Sequence, residues 1–205
     1  IKLFKVERKF PTTELNQFNI IKNLFKHSKG ELILLLDSDD FFEKDKLKKI
    51  SNVFKEDLSK ECVCDIPKIT NIKKKYKSFS YKKNINPKER WPTIFPTSTI
   101  SVRRDSFSSF LNEKFDQQFT ELAIDFRLIT YFYNFRQNLS ITDQELTWYL
   151  NNKDGNESKY KKYTRRWWKR RSQSFDYLLE ILKKKNFDHD KTFDYTVTRF
   201  LNKIF

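Results

Sequence analysis

The stretch Lys29-Gly30-Glu31-Leu32-Ile33-Leu34-Leu35-Leu36-Asp37-Ser38-Asp39-Asp40-Phe41 decides the fold. From Glu31 to Leu36 the chain runs apolar over a strand's length, without the polar alternation of a strand that faces water. That pattern predicts a strand buried on both faces, as in a parallel sheet. Upstream, Phe18, Ile20, Ile21, Leu24 and Phe25 recur at helical spacing across residues 17–27. Lys29-Gly30 predicts the helix stop, with Gly30 as a left-handed cap. Helix, glycine stop and buried strand make half of a βαβ unit. The strand then ends in Asp37-Ser38-Asp39-Asp40. Asp37 and Asp39 are two apart on extended backbone and share a side. They lie just past the carboxyl end of the strand, where open α/β sheets bind ligands. Crowded carboxylates repel, and a hard divalent cation with oxygen ligands relieves the repulsion. A cation held by one or two carboxylates keeps positions open for a diphosphate. The competing reading is a solvated acidic turn, with Asp39 or Asp40 capping the next helix.

Outward from this stretch, Leu47, Ile50, Val53, Phe54 and Leu58 predict a helix, and residues 63–72 a strand. Residues 73–90 carry eight basic side chains and one acid, Glu89, and read as a hairpin or loop. Pro92, Pro96 and the run Thr97-Ser98-Thr99-Ile100 predict an extended segment ending at Val102-Arg103. A short helix is expected over 105–111. Thr120 is placed to cap a helix over 121–135, and 139–150 reads as a strand. A loop around Gly155 precedes a long helix over 165–185, whose stripe is Trp168, Phe175, Leu178 and Leu182. A last short helix is expected over 193–204. The domain reading is residues 1–150 for the α/β part and 151–205 for a basic, aromatic, helical extension packed on it.

Composition bounds the rest. The 205 residues include 21 Phe, and aromatics make up 17%, more than disordered tails carry. No apolar run is long enough to span a membrane, and Ile1-Lys2-Leu3-Phe4-Lys5 is not a signal peptide. Two Gly exclude a glycine-rich phosphate loop within these residues. Cys62 and Cys64 alone make neither a disulfide framework nor a four-ligand zinc site, so both are expected as buried strand cysteines. The expectation is a cytoplasmic, reduced protein. The absence of Met, even at position 1, suggests a piece of a longer chain. The net charge of +15 invites a nucleic-acid reading, but Lys-rich compositional drift produces the same number. His27 and His189 have no partner pattern and are expected at the surface.

The segment from Lys29 to Phe41 resembles the core of family-2-like glycosyltransferases with the GT-A fold, where a Lys/Gly-Glu pair leads into an apolar strand and an Asp-x-Asp-Asp end. A second block, Pro96-Thr97-Ser98-Thr99-Ile100-Ser101-Val102-Arg103-Arg104, is similar to the family's Ser-rich strand ending in Arg. Lys114-Phe115-Asp116 and Arg127-Leu128 follow. The resemblance covers residues 17–150. It implies an α/β, Rossmann-like mixed sheet flanked by helices, with the leading strands upstream of Ile1 and a helical C-terminal extension. It implies that Asp37, Ser38 and Asp39 contact a nucleotide-sugar donor, and that Asp39 with Asp37 binds Mn²⁺ or Mg²⁺ on its diphosphate. The family's catalytic base sits at the start of the helix near Arg127. Spacing from Phe115-Asp116 favours Asp125, and spacing back from Arg127-Leu128 favours Glu121; the alternative for either is a surface acid paired with Arg127 or Lys114. Ser98, Arg103 and Trp91 are candidate acceptor or phosphate contacts.

The implied reaction is metal-dependent, inverting transfer of a sugar from a nucleotide diphosphate to a glycan or lipid-linked acceptor, in the building of a surface polysaccharide. Direct attack needs one base and no covalent nucleophile. Eight basic residues from Lys159 to Arg171, interleaved with Tyr160, Tyr163, Trp167 and Trp168, suggest either a solvated helix face or a peripheral contact with the inner membrane face. Nucleic acid is the weakest partner, since no nucleic-acid module is visible. Two rivals remain. One is a haloacid-dehalogenase-like phosphatase, disfavoured by Phe41 where that class carries Thr or Val. The other is a non-catalytic module binding nucleic acid or a membrane surface.

Overall fold

The computed structural model describes residues 2–70, 79, 90–113, 118–150, 159–186 and 192–205. Most of the basic stretch at 73–90, residues 114–116, the loop around Gly155 and His189 lie outside the described residues. The first helix, α1, spans Thr13–His27, with Thr12 as N-cap accepting from the Leu15 N–H at 3.3 Å. Ser28, not Gly30, closes it. The Ser28 N–H reaches the carbonyls of Leu24 and Phe25, and its hydroxyl donates to Phe25 O at 2.7 Å. Gly30 has no positive φ, so the expected left-handed glycine cap is replaced by a side-chain cap.

Five strands follow: β1 (Leu32–Leu34), β2 (Phe41–Phe42), β3 (Cys62–Thr70), β4 (Ile100–Arg103) and β5 (Leu139–Leu150). They form one sheet in the order β1-β4-β3-β5-β2. β4 is antiparallel to β1 and β3, β3 and β5 are parallel, and β2 is antiparallel to β5. Hence β1, β3 and β5 all point the same way, and their carboxyl ends share one edge with the entrance of β4. The apolar run predicted a strand covered on both faces in a parallel sheet; β1 is covered on both faces, but its pairing with β4 is antiparallel. Among the described residues its one partner strand is β4. Its alternation is missing because helices cover both faces. Ile33 joins Phe18, Val102, Phe107 and Ile124 on one side, and Leu32 and Leu34 join Ile50, Phe54, Val63 and Leu146 on the other. Cys62 and Cys64 are buried free thiols on the first face, as expected for strand cysteines.

The helices are α2 (Lys46–Glu56), α3 (Arg104–Leu111), α4 (Ile124–Thr130), α5 (Arg165–Lys184) and α6 (Phe193–Ile204), and α4 continues as one π-helical stretch, Tyr131–Arg136. The expected apolar stripe of α2 is only half right. Ile50 and Phe54 are buried, but Leu47 and Leu58 face solvent and Lys46 takes the inner position. The stripe of α5 is as expected, with Trp168, Phe175, Leu178 and Leu182 all buried. The helix expected from Thr120 starts instead at Ile124, behind Ala123. The cause is Arg127, 1% exposed, which turns back on the preceding segment. Its Nε donates to Leu122 O at 3.1 Å and its Nη2 to Phe119 O at 2.5 Å, while its guanidinium lies over Phe18. Those carbonyls are thereby held in a turn instead of a helix. Arg127→Met removes donors from two buried carbonyls, each costing about 1–3 kcal/mol when unmet. The expected loss is roughly 3 kcal/mol in urea unfolding; an unchanged midpoint would show that the turn does not depend on Arg127.

Candidate active site

The acidic turn lies where the topology gathers the strand ends. Past β1, the Asp37 N–H donates to the Ser98 hydroxyl at 2.9 Å, tying the turn to the 3₁₀ segment Thr97–Thr99 that enters β4. Asp40 is buried, and its Oδ1 accepts the N–H of Leu150, the last residue of β5, at 2.9 Å. Gln17, in the second turn of α1, donates to Asp37 Oδ1 at 3.0 Å. Ser38 and Asp39 face solvent. A cavity of about 680 Å³ runs between α1 and β1 and opens at this turn; Gln17, Ile21, Phe25, Asp37, Ser38 and Thr97 are among its lining.

Two carboxylates here are held away from their ordinary state. Burial pushes the Asp37 carboxyl up to about 6, with help from the charges of Asp40 and Asp39 and against the Gln17 hydrogen bond. Burial also raises Asp40, against hydrogen bonds from Ser98 and Leu150. The Asp40 Oδ2 is buried without a hydrogen-bond partner. Among the described residues no three His, Cys, Asp or Glu side chains are grouped to hold an ion. The site can therefore offer a hard cation one or two carboxylates, Asp39 with Asp37, leaving the other positions to water or phosphate oxygens. Concentrated, partly desolvated negative charge at a cavity mouth fits that role.

The remaining candidates separate. Ser98 is fully buried, so it braces Asp37 from behind instead of touching a ligand. Arg103 stands at the opposite end of β4, paired in register with Leu32. Its guanidinium caps the end of α2 through Phe54 O and Lys60 O, both at 2.7 Å, which removes it from the strand ends where a phosphate would sit. Trp91 lies between Phe126 and Phe175, at ring distances of 5.6 and 4.8 Å, in the seam of α4 and α5. Asp125 occupies the first turn of α4, half-buried, with Oδ1 accepting the Phe126 N–H at 2.6 Å. Glu121 is 4% exposed, and both its oxygens are engaged. Lys169 lies 2.9 Å from Oε1, and Arg166 and Tyr160 lie 3.1 and 3.0 Å from Oε2. Burial raises this carboxyl, but the Lys169, Tyr160 and Arg166 bonds outweigh it and hold the group below its ordinary range. A carboxylate so stabilised is a poor proton acceptor. It serves instead to fasten α5, together with Glu14, which receives the Tyr160 hydroxyl at 2.7 Å.

The same contacts consume half of the basic cluster in the C-terminal segment. Arg166 and Lys169 hold Glu121, Arg171 holds Asp194, and Arg170 stacks on Tyr160. Lys161, Lys162, Arg165 and Tyr163 remain exposed. No helix among the described residues is long and apolar enough to cross a membrane. His27 is exposed at the end of α1, with the Phe4 ring stacked on it at 4.4 Å.

Sequence reasoning missed Lys46, Asp65, Thr147 and Gln17. Lys46 is fully buried, 2.6 Å from Asp65, itself fully buried. A signal was present, since Lys46, Ile50 and Phe54 recur every four residues along one helix face. Asp65 likewise interrupts the apolar run Cys62-Val63-Cys64.

Residues 16–111, from α1 through α3, match the family Glycosyl transferase family 2. That segment, just under half of the chain, is similar to the family and holds the helix, strand and acidic turn. The chain's fold is similar to that of S. aureus TarS 1-349, a structure in complex with UDP-GlcNAc, with a TM-score of 0.50 and 16% identity, over 88% of this chain and 49% of that one. A second S. aureus TarS structure gives a TM-score of 0.47 and 16% identity, over 89% of this chain and 29% of the other. The chain thus spans about half the length of TarS 1-349. No curated protein matches it. The mixed sheet flanked by helices, with its helical C-terminal part, is of the GT-A type expected. The family match spans the acidic turn, which leaves the phosphatase reading without support.

The raised Asp37 gives a pH test. Its folded pKa of about 6 lies above its unfolded value of 3.8. Its contribution to stability is therefore present in full below about pH 4 and lost as pH rises through about 6. Asp37→Asn removes a charge the fold tolerates poorly, and the effect, discounted for partial exposure, is on the order of 1 kcal/mol. The variant is expected to melt roughly 3 °C above the parent at pH 8 and level with it at pH 4. A parent that melts equally or higher at pH 8 would contradict the strained carboxylate.

Proposed function

We propose that this chain carries the donor site of a metal-dependent, inverting glycosyltransferase, moving a sugar from a nucleoside diphosphate to a glycan or lipid-linked acceptor. The observation that carries the reading is the Asp37–Asp40 turn: strained carboxylates gathered where β1, β3 and β5 end, at the mouth of a cavity large enough for a nucleotide-sugar. Asp39 with Asp37 would hold Mn²⁺ or Mg²⁺. The bound ion would neutralise charge developing on the leaving diphosphate. Gln17 holds the Asp37 carboxylate in orientation from α1, and Ser98 fixes its backbone, so the donor meets a preformed edge. Asp125 would be the base, since Glu121 is committed to two cations and a phenol. An acid within reach of the acceptor hydroxyl takes its proton as the oxygen attacks the sugar carbon from the face opposite the diphosphate. TarS was solved with UDP-GlcNAc, which makes UDP-sugars the first donors to test. A lipid-linked acceptor would suit a peripheral contact through exposed Lys161, Lys162 and Arg165.

The test uses the full-length protein with a panel of nucleotide-sugars, with and without Mn²⁺, and follows nucleoside diphosphate release. One donor is expected to support metal-dependent release, and Asp39→Ala to abolish it with an unchanged circular dichroism spectrum. Full activity in Asp39→Ala would remove the metal assignment. Asp125→Asn is expected to lower kcat by about 10²–10⁴-fold with little change in donor KM, whereas Glu121→Gln lowers the melting temperature and leaves kcat near the parent value. The reverse pattern would reassign the base to Glu121.

A further inference from the structure

Lys46 lies beneath the acidic turn, at the start of α2, with no exposed surface. An ammonium has three donors; Lys46 makes two hydrogen bonds and one ion pair. Nζ reaches Asp65 Oδ2 at 2.6 Å, Thr147 Oγ1 at 2.7 Å and the Ser98 carbonyl at 2.7 Å. The Thr147 hydroxyl donates on to Asp65 Oδ1 at 2.7 Å, and the Phe42 ring lies 4.1 Å from the ammonium. One cation therefore joins α2, β2, β3, β5 and the segment entering β4. The acidic turn rests on the same residues. Ser98 gives its carbonyl to Lys46 and its hydroxyl to the Asp37 N–H. Asp40 is held by β5 at Leu150 and feels the charge of Lys46.

We propose that Lys46 is a positioning residue for the donor site: through Ser98 and Asp40 its buried ammonium fixes the Asp37–Asp40 turn in the arrangement that receives a divalent cation and a nucleoside diphosphate. This rests on the donor-site reading above. A purely structural ion pair would be replaceable by apolar side chains of similar volume, because such replacements are often neutral or stabilising. A positioning cation is not replaceable in that way, since an apolar side chain cannot hold the Ser98 carbonyl.

The experiment compares full-length wild type with the double variant K46M/D65L, using UDP with Mn²⁺ as the probe in titration calorimetry and thermal melting as the control for folding. The double variant is expected to melt within a few degrees of wild type and to bind UDP with Mn²⁺ at least about tenfold more weakly. I181V, a core change in α5 away from the turn, reports what loss of stability alone does, and is expected to bind as wild type does. Equal binding by wild type and K46M/D65L overturns the positioning role and leaves the donor site standing. No binding by wild type overturns the donor-site reading, and this inference with it. If K46M/D65L does not fold, T147V carries the test: it removes one of the three Lys46 partners, and donor KM is expected to rise severalfold with kcat nearly unchanged. T147V kinetics identical to wild type overturn the role.

Discussion

A single buried cation is the constraint on which the working end of this sheet depends. Burying an ammonium is unfavourable by several kcal/mol unless every donor is met and a counter-charge is close. Lys46 meets both conditions only if β3 supplies Asp65, β5 supplies Thr147 and the turn before β4 supplies the Ser98 carbonyl. The strand ends cannot slide relative to one another without leaving that charge unpaired. The same requirement explains why α2 begins where it does, with its first residue inside and Leu47 outside. It also explains why a fully buried serine sits behind the acidic turn.

Strand direction supplies the second constraint. The carboxyl ends of β1, β3 and β5 meet the entrance of β4 at one edge, so residues far apart in sequence arrive together: Asp37 and Asp40 after β1, Ser98 before β4, Leu150 at the end of β5. The opposite edge carries Arg103, which is why an arginine in a Ser-rich strand does not reach the acidic turn. The turn gathers three carboxylates, with Asp40 buried, Asp37 half-buried and Asp39 exposed, a concentration of charge that a cationic ligand would relieve. The C-terminal segment acts on the first turn of α1 through Tyr160. Tyr160, Arg166 and Lys169 close on Glu14 and Glu121, fixing α1 from its first turn while Gln17, one turn on, reaches Asp37.

Much of this was legible in the sequence, for physical reasons that differ by element. Strand β5 and helices α5 and α6 were read with their bounds nearly as observed, because their apolar patterns are long and their caps local. The acidic turn stood out as a candidate because three carboxylates follow an apolar strand within four residues. What was not legible depends on tertiary partners. That β1 pairs antiparallel with β4 follows from the sheet topology, not from its own residues. The late start of α4 follows from Arg127 turning back on its own loop. The commitment of Glu121 follows from cations 45 and 48 residues away along the chain. Lys46 was hidden because a lysine on a lysine-rich helix reads as solvated until the four-residue spacing with Ile50 and Phe54 is weighed.

The most direct test of the account is a crystal structure of the full-length protein with UDP and Mn²⁺, with the ion located by anomalous scattering. The account predicts the anomalous peak about 2.1 Å from a carboxylate oxygen of Asp39 or Asp37, with diphosphate oxygens completing the coordination and Lys46 still bound to the Ser98 carbonyl. An ion and nucleotide bound away from the Asp37–Asp40 turn would contradict it.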